Sequence, residues 1–236
     1  MNRQQSLGGG ARGFLPLKGK ISFTLAEVLI TLGIIGVVAA LTLPTLIQNS
    51  RNSEVETSLK KIYSTMNQAI LMSEIQNGPR EYWPFCPAND MTEDCVNFYN
   101  KYIIKYLKNV DKAEISTPSQ DYYFVYLADG SMLAIKGTDF FYFPHAKNYN
   151  PDTFANRDDC GKTYFAFRLE TENTANEYNK NFEPYKKGLK DYTKEALTDP
   201  STNRSCNKVS TNKVFCTALI QLNNWKIPKD YPFKVK

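Results

Sequence analysis

SFTLAEVLITLGIIGVVAALTLPTLI, residues 22–47, is the stretch on which the reading of this chain turns. From Phe23 to Ile47 there are 25 residues, Glu27 is the sole ionisable side chain among them, and Gln48 and Asn49 end the run. A helix rises ~1.5 Å per residue, so this length covers a hydrocarbon core of roughly 30 Å. A carboxylate there costs about 2.5–3.5 kcal/mol to insert near the membrane centre and less near an interface. A sequence that needed only an anchor has no use for it. Either Glu27 rests at the headgroup boundary without a task, or it is kept because it finds a positive partner.

The neighbours of Glu27 form a pattern. Ser22 is small, Phe23 follows, and Glu27 is the fifth residue after the Ser22–Phe23 junction, with Gly36 and Pro44 further along. This spacing resembles the processing segment of the type IV pilin and type II secretion pseudopilin superfamily. The likeness covers roughly residues 20 to 75, and it departs from the usual glycine before the cut, carrying Ser22 there. It implies that a prepilin peptidase cuts between Ser22 and Phe23 and methylates the new amine. It also implies that Glu27 is the assembly residue, neutralising the terminal amine of a neighbouring subunit. Gly36 and Pro44 would then supply helix flexibility, in a region that unwinds on assembly in the superfamily. The implied partners are copies of the chain itself, related minor pilins, the peptidase and an inner-membrane assembly platform. Major pseudopilins often carry a C-terminal calcium site, but no motif here receives its ligands, so neither metal nor cofactor is expected.

Residues 1–22 read as a basic leader, with Arg3, Arg12, Lys18 and Lys20 and no acid. They lack the apolar core of a secretory signal, which here lies after the proposed cut. The positive-inside tendency keeps this end cytoplasmic and sends residues from about 50 onward across the membrane. The expected organisation is a leader at 1–22, a transmembrane and assembly helix at 23–47, its amphipathic continuation at 48–77, and an exported globular α+β domain at 78–236. The chain is then a single-pass inner-membrane protein with a periplasmic or extracellular domain.

The formal charge is +5, of which the leader holds four, so no nucleic-acid footprint and no nucleic-acid partner are expected. Fifteen Tyr and fourteen Phe suit an aromatic-rich core. Cys86, Cys95, Cys160, Cys206 and Cys216 all fall on the predicted outer side. Cys86 with Cys95 and Cys206 with Cys216 are close enough for local disulfides, although sequence does not give connectivity. Cys160 is either buried and inert or an alternative partner of Cys216. Zinc is not expected, because there is no CxxC and His145 is the only histidine.

After Gln48 the apolar positions Val55, Leu59, Ile62, Met66, Ala69, Ile70 and Ile75 keep helical spacing until Gly78-Pro79. One helix is therefore expected from about 24 to about 76, with a bend or local melting between Gly36 and Pro44. Beyond it, residues 82–95 read as a loop and Val96–Asn109 as a helix. Tyr122–Leu127 and Ser131–Lys136 around Asp129-Gly130 read as a hairpin. Thr163–Leu169 reads as a strand, 170–181 as a polar stretch, Tyr185–Leu197 as a short helix, and Lys213–Leu222 as a strand or short helix. The sum is an α+β fold, a long N-terminal helix on a small antiparallel sheet, pilin-like.

No chemistry stands out. Gly161-Lys162-Thr163 mimics the end of a phosphate loop, but Asn156 occupies the place of its leading glycine. Asp152, Asn156, Asp158 and Asp159 match no calcium loop. Lys186, Lys187, Lys190 and Lys194 read as a solvated helix face, and Asn203-Arg204-Ser205 as a triplet too short to weigh. No catalytic residues and no enzymatic role are expected. The competing class is a signal-anchored extracytoplasmic binding domain or enzyme that does not polymerise.

Overall fold

A computed structural model describes residues 23–84, 86, 91–115, 122–169, 181–187, 189 and 192–236. Contacts divide the chain into two units that part between Thr45 and Leu46. The proposed leader, with Ser22, lies outside the described residues, as do residues 170–180 of the polar stretch.

Helix α1 spans Leu25–Asn77, 53 residues, close to the expected bounds. It is continuous through Gly36 and Pro44, so the expected melting between them is not present. Gly78 follows at φ 78°, the left-handed conformation that ends helices and suits a residue without Cβ. In the first unit, every side chain from Phe23 to Thr45 is exposed save the half-buried Ala39. This segment has the length and apolarity to cross a membrane, properties that a signal sequence shares.

In the second unit, α1 buries Val55, Leu59, Ile62, Met66, Ala69 and Ile70 on one stripe. The stripe packs on a six-stranded antiparallel sheet, ordered β1 to β6 as a simple meander. The strands are β1 Val110–Ile115, β2 Tyr123–Leu127, β3 Met132–Lys136, β4 Asp139–Phe143, β5 Phe165–Leu169 and β6 Phe182–Pro184. The β2–β3 hairpin turns at Gly130, φ 82°, where Asp129 accepts hydrogen bonds from the Ser131 N–H (3.0 Å) and hydroxyl (2.6 Å). Lys61 of α1 reaches the other Asp129 oxygen at 2.7 Å, tying helix to hairpin.

Side chains alternate across the sheet. Leu133, Ile135, Phe140, Tyr142, Phe165 and Phe167 face the α1 core, which also holds Phe98, Tyr99 and Tyr102 of helix α2, Glu93–Tyr102. Met132, Ala134, Phe141, Phe143 and Ala166 face a second core. That core is closed by three short helices: α3 Pro151–Ala155, α4 Lys194–Thr198 and α5 Cys216–Leu222. Phe154, Leu197, Phe215 and Leu219 fill it from their side. A sheet covered on both faces reads as continuous apolar runs, as strands β3 to β5 do. Each fully buried Phe or Leu contributes about 1.5–3 kcal/mol by leaving water.

Residues 226–236 return to α1. The Ile227 N–H donates to Glu56 at 2.9 Å, Lys226 pairs with Glu56 at 2.7 Å, and Val235 is buried while its carbonyl accepts from Gln48 at 3.3 Å.

Several expectations are corrected. The helix over Val96–Asn109 starts earlier and ends at Tyr102, followed by a 3-10 turn at Ile104–Tyr106. The helix over Tyr185–Leu197 is confined to Lys194–Thr198, where Thr193 caps it by accepting from the Ala196 N–H. Lys186 and Lys187 therefore share no helix face with Lys194, and Lys190 lies outside the described residues. Lys213–Leu222 resolves to helix α5 from Cys216.

Candidate functional site

Glu27 lies in the first turn of α1. Its carboxylate accepts hydrogen bonds from the Thr24 N–H at 2.8 Å and the Thr24 hydroxyl at 2.9 Å. The Glu27 N–H in turn donates to the Thr24 hydroxyl oxygen at 3.2 Å. This reciprocal closure is a capping box, which satisfies two backbone donors that a helix start leaves orphaned. The signal for it, Thr24-x-x-Glu27, is present in the sequence. Phe23 is exposed beside it. Gly36 and Pro44 both lie inside the helix, and a Cβ on Gly36 would meet nothing within 4 Å.

The cysteines form two local bridges, Cys86–Cys95 and Cys206–Cys216, with Cys160 free and buried. Burial pushes the Cys160 thiol up to about 12, so it stays protonated and inert near neutral pH. Gly161 explains the phosphate-loop mimic structurally. It sits at φ 78°, and a Cβ there would fall 2.7 Å from the Cys216 sulfur, so close packing on the second disulfide demands glycine. Its carbonyl accepts from the Tyr231 hydroxyl at 2.6 Å.

The remaining candidates have structural roles. His145 lies 3.4 Å from Glu54 of α1. Asn150 caps α3 by accepting from the N–H groups of Asp152 and Thr153. Asp159 lies 3.9 Å from Lys162 and 3.5 Å from Lys236. Asp152, Asn156 and Asp158 thus belong to a capped turn, and no group of three metal-ligating side chains occurs among the described residues. Lys186 lies 3.7 Å from Glu183 and over the Tyr192 ring at 4.4 Å. Burial lowers its pKa against the pull of Glu183.

A feature that sequence reasoning missed is a cavity of about 170 Å³ beside α1, lined by Ile62, Ala69 and Met72 and, from across the sheet edge, Tyr106, Leu107 and Leu127. Its walls are chiefly apolar, with the Lys61–Asp129 pair at its rim. Four separated segments build it, α1, residues 106–109, the β2 end with Asp129, and Tyr142 of β4, so no local pattern announces it.

A model for a family of unknown function, DUF6613, matches residues 45–235. The chain belongs to the DUF6613 family. No curated protein and no solved structure matches it. The DUF6613 match begins one residue before the second unit, so it covers the sheet, both cores, both disulfides and the cavity. Glu27 and all but the last three residues of the apolar run precede it.

Proposed function

We propose that the protein is a structural filament subunit, processed between Ser22 and Phe23 by a prepilin peptidase and polymerised through its N-terminal helix. The filament is a type II secretion pseudopilus or a type IV pilus-like fibre, and the subunit itself performs no catalysis. What carries this reading is Glu27, the one charge in the exposed apolar segment Phe23–Ile47, placed at the fifth position after the Ser22–Phe23 junction. In the free chain, Thr24 holds that carboxylate. In the filament, the methylated Phe23 amine of a neighbour takes it over. Two charges that are each expensive in hydrocarbon then share one solution, and a helix out of register leaves both unpaired. Apolar surface supplies adhesion and the charge pair supplies register. Before assembly the subunit waits in the inner membrane, with the α+β domain outside.

N-terminal sequencing of membrane-extracted protein tests the reading. It should begin at Phe23 and carry a methyl group. Intact Met1, or a cut after residue 40, overturns it and leaves a signal-anchored or secreted domain.

A further inference from the structure

The exported unit carries two complementary apolar features on one helix. The first is the cavity of about 170 Å³ floored by Ala69, Met72 and Leu107. The second is an aliphatic ridge further along, Leu71 and Ile75, one turn apart on α1, with Ile75 85% exposed. Single exposed aliphatics are ordinary, but a ridge and a cavity of matching chemistry side by side are not. The charges around them also match. Lys108 lines the cavity and carries no ion pair among the described residues. Glu81, exposed and likewise without an ion pair among them, follows Arg80, which is bound to Glu74 beside the ridge.

We infer that the ridge of one copy seats in the cavity of the next, Ile75 entering between Ala69 and Leu107 while Glu81 approaches Lys108. A second copy is the occupant because this chain itself supplies the complementary knob and charge. The inference rests on the polymerisation reading for one point, that neighbouring copies run parallel from a common membrane. The geometry then follows from the helix. Ile75 lies about nine residues beyond the midpoint of the α1 positions that line the cavity, a rise of ~14 Å, and points about 80° around the axis from the mean direction of those positions at ~100° per residue. Parallel copies joined knob to cavity are thus related by a rotation of about 100° and a shift of ~14 Å, given those helix parameters. Such a head-to-tail contact does not close on itself. It builds an open helical filament.

The test uses the full-length protein in its membrane. A benzoylphenylalanine photo-crosslinker at position 75 should give homodimer adducts whose cross-linked peptide contains Leu107 or Leu127. Ile75→Asp, at an exposed position, and Thr65→Trp, which fills the cavity mouth, should each lower filament yield by about tenfold or more, as loss of an interface anchor does, with melting temperature unchanged. Adducts from position 75 to lipid or to another protein overturn the inference. A crosslinker at Val37 separates the two levels. Homodimers from position 37 with none from position 75 sink this contact alone, whereas no homodimers from either position sink the polymerisation reading as well.

Discussion

The side-chain amide of Asn67 pairs with both backbone groups of Phe182, donating to the carbonyl at 2.9 Å and accepting from the N–H at 3.2 Å. One helix side chain thereby does what a further strand does, meeting the outer edge of the three-residue strand β6. The neighbouring Tyr63 hydroxyl donates to Glu183 at 2.9 Å, so α1 grips this edge twice. Asn67→Leu should leave both Phe182 groups without this partner, at about 1–3 kcal/mol. A melt should show a fall of ~2–4 °C per kcal/mol for a domain of this size. An unchanged melting temperature would refute the role.

The capping box sharpens the test of Glu27. Glutamine closes the same box, so Glu27→Gln keeps the cap and deletes only the charge. Glu27→Ala removes both. Each variant should insert and leave the distal domain folded. Each should also lose filaments more than tenfold, because stripping one partner from a buried ion pair costs about 3–5 kcal/mol. If the glutamine variant assembles like wild type and the alanine variant does not, Glu27 serves as a cap and the charge-pair mechanism is wrong.

Thiol chemistry should follow burial. In native, unreduced protein no cysteine should react with an alkylating reagent near neutral pH, because Cys160 is buried and protonated and the other four are bridged. Denaturation without reductant should release one thiol. Replacing Cys206 and Cys216 together by serine should lower stability by about 2–4 kcal/mol, read from a denaturant titration. Rapid native labelling at Cys160 would contradict the packing around Gly161.

Acid should weaken the end of α1. Hydrogen bonds from Arg80 hold the Glu74 carboxyl below its ordinary value of 4.5, against some desolvation. A depressed carboxylate contributes stability that is present above its unfolded pKa and lost as pH falls through the folded one. Stability should therefore drop as pH goes below about 4.5, a carboxylate's usual range. Glu74→Gln should flatten part of that acid limb and lower stability near neutrality, measured by melts from pH 3 to 7. A parallel downward shift at every pH would show that the charge is not the cause.

How much of this was readable depends on where each signal lives. The hairpin was legible because Asp129-Gly130 is a local turn chemistry between two β-rich runs. Strand β1, VDKAEI, was missed because an edge strand with Asp111, Lys112 and Ala113 exposed in succession shows no apolar alternation. Strand β4, DFFYF, was missed for the opposite reason. Both its faces are buried, and period two vanishes into one aromatic run. Helix α5 was ambiguous because it is buried almost all round, which reads alike for helix and strand. The disulfide candidates were legible from spacing alone. The cavity and the Asn67 clamp join residues far apart in sequence, and only folding brings them together.

Gln48 and Val235 stand almost at opposite ends of the family match, and they touch. The α1 core therefore cannot be finished while residues near 235 are still within the ribosome, since Val235 and Ile227 belong to its packing. Domains that fold as units during synthesis complete from the N-terminal side. This one has its keystone at the far end. Until residues 227–235 emerge, the stripe from Val55 to Ile70 lacks its last covering side chains, so this core closes only after synthesis of the domain is complete.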